Sequence, residues 1–407
     1  MRLSICGRLV DPAAGLGEEA CVVVDGGRVE SLREEPVHGS HVLDLRGEPG
    51  SLILPGLVDM HVHLRGLALS YKEDERSGTL AAARGGITLV ADMPNTVPRL
   101  DEPSALARKL ASLEENSVVE YMVYAAVPRD AEAAEKLASR PHVAGFKIYP
   151  SDLEKRWPVV NRLLGREDTL LVLHPELPEA ERSEYENLAT RAYARGCHWE
   201  AAAPQLLAGR LARLHVTHAS CVSTLRAAKK VGATVDVAPH HLLAEPPRGD
   251  GCLWKVNPPL RPWPEPWLLL NAVLEGIVDA FASDHAPHAA WEKGGDPLTC
   301  PPGIAWLEAW PHVLSCLVSA GALSVEEYAR LSSTSPASIL GVKRCLEPGC
   351  PASITVMRLG RGRFASVQYS KARSVPYFMW RTCSETVATV VAGRPVYLEP
   401  GTRLAKM

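Results

Sequence analysis

From about Leu57 to Ala320, short runs rich in Val, Ile and Leu alternate with stretches whose apolar residues recur at helical spacing. Eight runs read as strands: Leu57–His63, Ile87–Asp92, Val119–Ala126, Val143–Ile148, Thr169–His174, Arg213–His218, Ala233–Ala238 and Val278–Ser283. Helices are predicted between them. One covers Thr79–Arg84 and is closed by Gly85-Gly86. Another covers Pro103–Glu115 behind a capping Asp101, and a third runs from Ser223 towards Gly232. Eight strands, each followed by a crossover, predict an α/β fold of the (β/α)8 TIM-like barrel kind. A doubly wound open sheet is the competing topology.

The ends differ. Cys21–Asp25, the turn signal Asp25-Gly26-Gly27 and Arg28–Leu32 read as a hairpin, while Ser353–Met357, Thr386–Val391 and Pro395–Leu398 are further short strands. Both termini are therefore expected to build one small β-sandwich-like domain, from residues 1–53 and 345–407, around a barrel of residues 54–344.

Composition narrows the function classes. Lys plus Arg number 44 against 47 Asp plus Glu, so the near-balance offers no basic footprint for nucleic acid or a membrane surface. No apolar run reaches membrane-spanning length, and Met1–Val10 lacks a signal-like apolar core. The expectation is a cytoplasmic protein without membrane or nucleic-acid partners. The ten cysteines contain no CxxC pair, and most are read as buried apolar side chains, with room for one or two disulfides.

Chemistry in a barrel collects at the C-terminal ends of its strands. There the first strand carries His61 and His63, the fourth Lys147, the fifth His174, the sixth His218 and the eighth Asp284. A spacing of two puts both imidazoles of His61-Val62-His63 on one side of a strand. HxH by itself also occurs as a structural pair. Four histidines and an acid at one rim suit a metal centre, with zinc the first choice and manganese or cobalt as alternatives. Lys147 is either an ion-pairing lysine or, if carbon dioxide converts its amine into a carbamate, a carboxylate ligand. His240-His241, after the seventh strand, is read as a supporting structural pair, and Trp263 with Trp267 as a packing face at a helix start.

Pro55–Arg65 (PGLVDMHVHLR), Met93–Thr96 (MPNT), Gly145-Phe146-Lys147, Val256–Leu260 (VNPPL), Ser283–His288 (SDHAPH) and Ser370–Arg373 (SKAR) together resemble the dihydroorotase family of the amidohydrolase superfamily. The resemblance spans nearly the whole chain. It implies reversible hydrolysis of (S)-dihydroorotate to N-carbamoyl-L-aspartate, in pyrimidine biosynthesis, at a binuclear centre that generates hydroxide. His61, His63 and Asp284 match the ligands of one metal, and His174 and His218 those of the other. Lys147 matches the carboxylated bridging lysine, and Asp284 also the general acid/base. Arg65, Asn95 and His288 match the groups holding the substrate carboxylate. Asn257 and the backbone of Pro302 and Gly303 match contacts to the ring. The implied cofactor is two zinc ions. Implied partners are the small-molecule substrate, with a homo-oligomer or a complex with aspartate transcarbamoylase left open. An allantoinase or hydantoinase, and a non-catalytic scaffold of the same fold, are the rival readings. Two departures stand out: relatives commonly continue Leu-Arg-Glu-Pro-Gly where this chain has Leu64-Arg65-Gly66-Leu67-Ala68, and Pro175 follows His174.

Overall fold

A computed structural model describes residues 2–247 and 251–406. Eight parallel strands follow one another in chain order: Leu57–Val62, Ile87–Asp92, Glu120–Ala126, Val143–Ile148, Leu170–Leu173, Arg213–Val216, Thr234–Val237 and Ala280–Phe281. The ring closes where Val62 and His285 form a parallel bridge and the His63 N–H donates to His285 O at 2.8 Å. The strands read as continuous apolar runs because both faces are covered, by helices outside and packed side chains within. The open doubly wound alternative is thereby set aside.

The crossover helices have physical starts and stops. The helix Glu75–Arg84 begins at Asp74, whose carboxylate accepts the Ser77 N–H, and ends at Gly85-Gly86, with Gly86 at φ +84. The helix Pro103–Asn116 is capped at Glu102 rather than Asp101 and makes no side-chain cap bond; Pro103 at its first position needs no N–H partner.

Both ends of the chain contribute to one nine-stranded sheet. Its main path runs from Arg394–Leu398 through Arg381–Val391, Ile354–Arg363, Ser51–Pro55, Leu3–Leu9 and Glu19–Asp25 to Arg28–Arg33. Leu3, Ile5, Val22, Ile53, Ile354 and Val387 form its apolar core. Among the described residues no helix is long and apolar enough to cross a membrane.

Two expectations are corrected. The cysteines are mostly buried, as their apolar character predicts, but all ten are paired: Cys6–Cys21, Cys197–Cys221, Cys252–Cys300, Cys316–Cys383 and Cys345–Cys350. Four of the five pairs join residues at least 15 positions apart, so only the fold brings them together. Trp263 and Trp267 are not a packing face: they stand 72% and 56% exposed. The helix Glu265–Leu274 buries Leu269, Ala272 and Val273, a stripe that turns Trp267 outward.

Candidate active site

The strand ends meet in a cavity of about 130 Å³ lined by His61, His63, Lys147, His174, His218 and Asp284, with Arg65, Asn95, Asn257, Pro302 and Gly303 beside them. That volume admits a single small ring, not a drug-sized ligand. A larger hollow of about 1220 Å³, lined by Tyr121, His142, Arg344 and Gly393 among others, includes none of these residues.

The tightest group is His61, His63 and Asp284, whose ligand atoms all lie within 4.8 Å of one another. Nε2 of His61 is 3.4 Å and Nε2 of His63 3.2 Å from Asp284 Oδ1. The outer nitrogens set the tautomers. His63 Nδ1–H donates to Asn95 Oδ1 at 2.6 Å. His61 Nδ1–H donates to Thr217 Oγ1, whose hydroxyl donates to Asp236 Oδ2 at 2.9 Å. Both histidines thus turn the Nε2 lone pair towards the cavity. Burial holds His61 well below the usual imidazole range, with the charge of Lys147 adding to it, and lowers His63 likewise. Neutral imidazoles and a carboxylate are a donor set for a divalent cation.

His218 lies between the two subsets, its ring centroid 4.9 Å from His61 and 4.7 Å from His174. Burial, and then the neighbouring His174 and Lys147, also hold it neutral. His174 Nε2–H donates to Glu176 Oε2 at 2.8 Å, and Glu176 is fixed by Arg195 Nε at 2.7 Å. That leaves His174 Nδ1 free to bind. Glu176, only two positions beyond His174, reaches back to it past Pro175. His218 Nδ1 and Lys147 Nζ are buried without a hydrogen-bond partner among the described residues, and an imidazole lone pair left so is suited to a cation. Burial draws the Lys147 ammonium down to about 7, against the pull of Asp284 and Asp236.

Backbone strain gathers here too. Arg65, His218 and Asp284 have φ of +56, +40 and +48, a region that non-glycine residues enter at a cost. The surroundings enforce it. Asp236 Oδ1 accepts the His218 N–H at 2.6 Å, and Asp59 Oδ1 accepts the N–H groups of His61 and Ser283 at 3.2 and 3.1 Å. Glycine at 145 is required by packing, since a Cβ there would lie 2.1 Å from Leu170 O.

Arg65 is buried, and its guanidinium touches Pro287 O and His288 Nε2, each at 3.3 Å. Its carbonyl accepts from Lys109, a fully buried lysine that also pairs with Glu75 and Asp92, each at 2.8 Å. This triad accounts for the departure at Gly66. The residue has φ +65, and a Cβ would fall 2.1 Å from Glu75 Oε1, so a bulky residue after Arg65 does not fit this version of the loop. His288 Nε2 also lies 2.9 Å from Pro302 O. Asn95 spends its oxygen on His63, which leaves its amide N–H groups for a ligand. Asn257 Oδ1 accepts from the buried Arg191, which also holds Val256 O at 2.8 Å.

Reading the sequence passed over Asp236, Glu176, Arg195, Lys109 and Arg191, acids and bases that act on the cavity through another residue. His215 is a satisfied core group, 2.7 Å from Asp236, and of the pair read as structural, His241 Nε2 donates to Pro258 O at 3.1 Å. Two further clusters with ligand-like spacing, Cys197/Cys221/Glu265 and Cys345/Glu347/Cys350, have their sulfurs tied up in disulfides.

Comparison with known proteins gives the family. A family model described as Dihydro-orotase-like matches residues 50–152. A dihydroorotase of Aeropyrum pernix is 48% identical over 393 residues, covering 93% of this chain and 91% of its own. The chain belongs to the dihydroorotase family. Another dihydroorotase, from Saccharolobus solfataricus, is 39% identical, covering 88% of this chain and 87% of its own. The same fold recurs in solved structures. A dihydropyrimidinase of Brevibacillus agri superposes with a TM-score of 0.86 at 22% identity, covering 98% of this chain and 95% of its own, and an L-hydantoinase of Arthrobacter aurescens with 0.86 at 23%, covering 99% and 97%. At those identities the likeness is one of fold, the TIM barrel of the amidohydrolases.

Proposed function

We propose that this chain catalyses the reversible hydrolysis of (S)-dihydroorotate to N-carbamoyl-L-aspartate, in pyrimidine biosynthesis. The observation that carries the reading is Arg65. It is a buried guanidinium at the cavity wall whose side chain meets a carbonyl and an imidazole rather than a carboxylate. A buried cation without an anion is costly, and a carboxylated ring supplies the anion. An uncharged hydantoin or allantoin does not.

His61, His63 and Asp284 would hold one divalent cation and His174 and His218 a second, with Lys147 as a carbamate between them; such cations, zinc in this proposal, supply Lewis acidity and activate water at neutral pH. Lys147 suits that conversion because burial favours its neutral amine. The amine attacks carbon dioxide, an N–C bond forms, and one proton leaves. Asp284 takes the proton of the attacking water and returns it to the ring nitrogen as the ring C–N bond breaks and a C–O bond forms. Arg65, the Asn95 amide and His288 hold the substrate carboxylate, while Asn257 and the Pro302–Gly303 backbone hold the ring.

Replacing Arg65 by Met tests the substrate. The Michaelis constant for dihydroorotate should rise roughly 10²-fold in steady-state assays run beside hydantoin and allantoin. A wild-type protein that prefers either uncharged ring would overturn the reading. Isotope-edited NMR with ¹³C-bicarbonate should show a carbamate carbon that Lys147→Ala abolishes. Elemental analysis separates the enzyme from a non-catalytic scaffold, which would purify without tightly bound metal.

A further inference from the structure

Tyr149 is a half-buried residue whose hydroxyl the reaction just described does not use. It follows Lys147 by two positions at the end of the strand Val143–Ile148, so the period of two sends both side chains towards the same side. It lines the cavity together with Arg65, Lys147 and Asp284. Its Oη is buried and has no hydrogen-bond partner among the described residues. Buried tyrosine hydroxyls ordinarily find one.

The ring is held in place. The Arg99 guanidinium lies 5.6 Å from its centroid and donates to both oxygens of Asp152 at 2.8 Å. Asp152 Oδ2 also accepts the Tyr149 N–H at 3.0 Å. On the inner side Lys147 Nζ lies 5.6 Å from the centroid. Arg65 and Asn95 line the same cavity of about 130 Å³. The hydroxyl and the Arg65 guanidinium therefore face one small chamber. A guanidinium has no lone pair to offer it, and a ligand carboxylate drawn to Arg65 supplies one.

We propose that Tyr149 is a substrate-binding residue whose O–H donates a hydrogen bond to the substrate carboxylate beside Arg65. This rests on the dihydroorotate reading and deepens it: the carboxylate meets a phenol from the fourth strand as well as the groups that the resemblance names.

Tyr149→Phe removes one oxygen and keeps the ring against Arg99. The Michaelis constants for dihydroorotate and N-carbamoyl-L-aspartate should rise by about 10- to 100-fold, as a charge-assisted hydrogen bond implies, with kcat, bound metal and melting temperature little changed. In the double variant with Arg65→Met the two effects should be less than multiplicative, because both groups hold one carboxylate. Active wild-type enzyme with unchanged Michaelis constants in Tyr149→Phe overturns the proposal while leaving the function standing. A loss confined to kcat places the hydroxyl at the reacting carbonyl and equally overturns it. A wild-type protein inert towards dihydroorotate overturns the functional reading, and this proposal with it.

Discussion

The mouth of the barrel and the terminal sheet solve opposite problems with the same chain. In the sheet, apolar residues from both ends, Leu3, Ile5, Val22, Ile53 and Val387, close on one another, and among its described strands Ser51 Oγ is the only buried side-chain polar atom without a partner. At the mouth, Lys147 Nζ, Tyr149 Oη and His218 Nδ1 are all buried and unpartnered, and three non-glycine residues sit at positive φ. A buried unmatched polar group costs free energy wherever it stands. The sheet and the barrel core supply stability, and the mouth holds groups whose partners are ligands.

The sharpest way to break this contrast is Asp284→Asn. Turnover should fall by about 10²–10⁴, with the fold kept, because the sheet and the barrel core carry the stability. Near-wild-type kcat in a steady-state assay would assign the proton transfer elsewhere. The converse experiment is Ile53→Ala in the sheet core. It should cost about 2–5 kcal/mol in chemical denaturation and leave kcat and the Michaelis constant unchanged, and a large loss of kcat would mean that the two regions are not separable. The smallest effect is one of pH. His61, His63, His218 and His288 are all held neutral, below the usual 6.5. In the unfolded chain they take up protons as pH falls through 6.5, so the metal-free protein should lose stability as they do, by about 2–3 kcal/mol between pH 7 and 6. Calorimetry on chelator-treated protein checks it. A flat profile over that window would mean that the histidines are not held neutral in the fold.

Much of this was legible in the sequence, for local reasons. The strands Ile87–Asp92 and Val143–Ile148 match their predicted bounds because each is an apolar run between breakers. His61 and His63 point together because of the strand period, and the same period applied to Lys147 would have found Tyr149. What escaped depends on contacts between segments. Asp236 and Glu176 are ordinary acids until neighbouring elements set them behind His218 and His174. Cys6 faces Cys21 only through the register of two antiparallel strands. The exposure of Trp267 follows from which face of its helix finds the core, and spacing alone does not say which.

The bond between Cys316 and Cys383 spans 67 residues and ties a barrel helix to the strand Arg381–Val391. Inside that loop, Arg361 is exposed. A protease that nicks the chain there would release nothing: the two fragments would migrate as one band until a reductant parted them, so an intact band on a non-reducing gel is no proof of an uncut molecule.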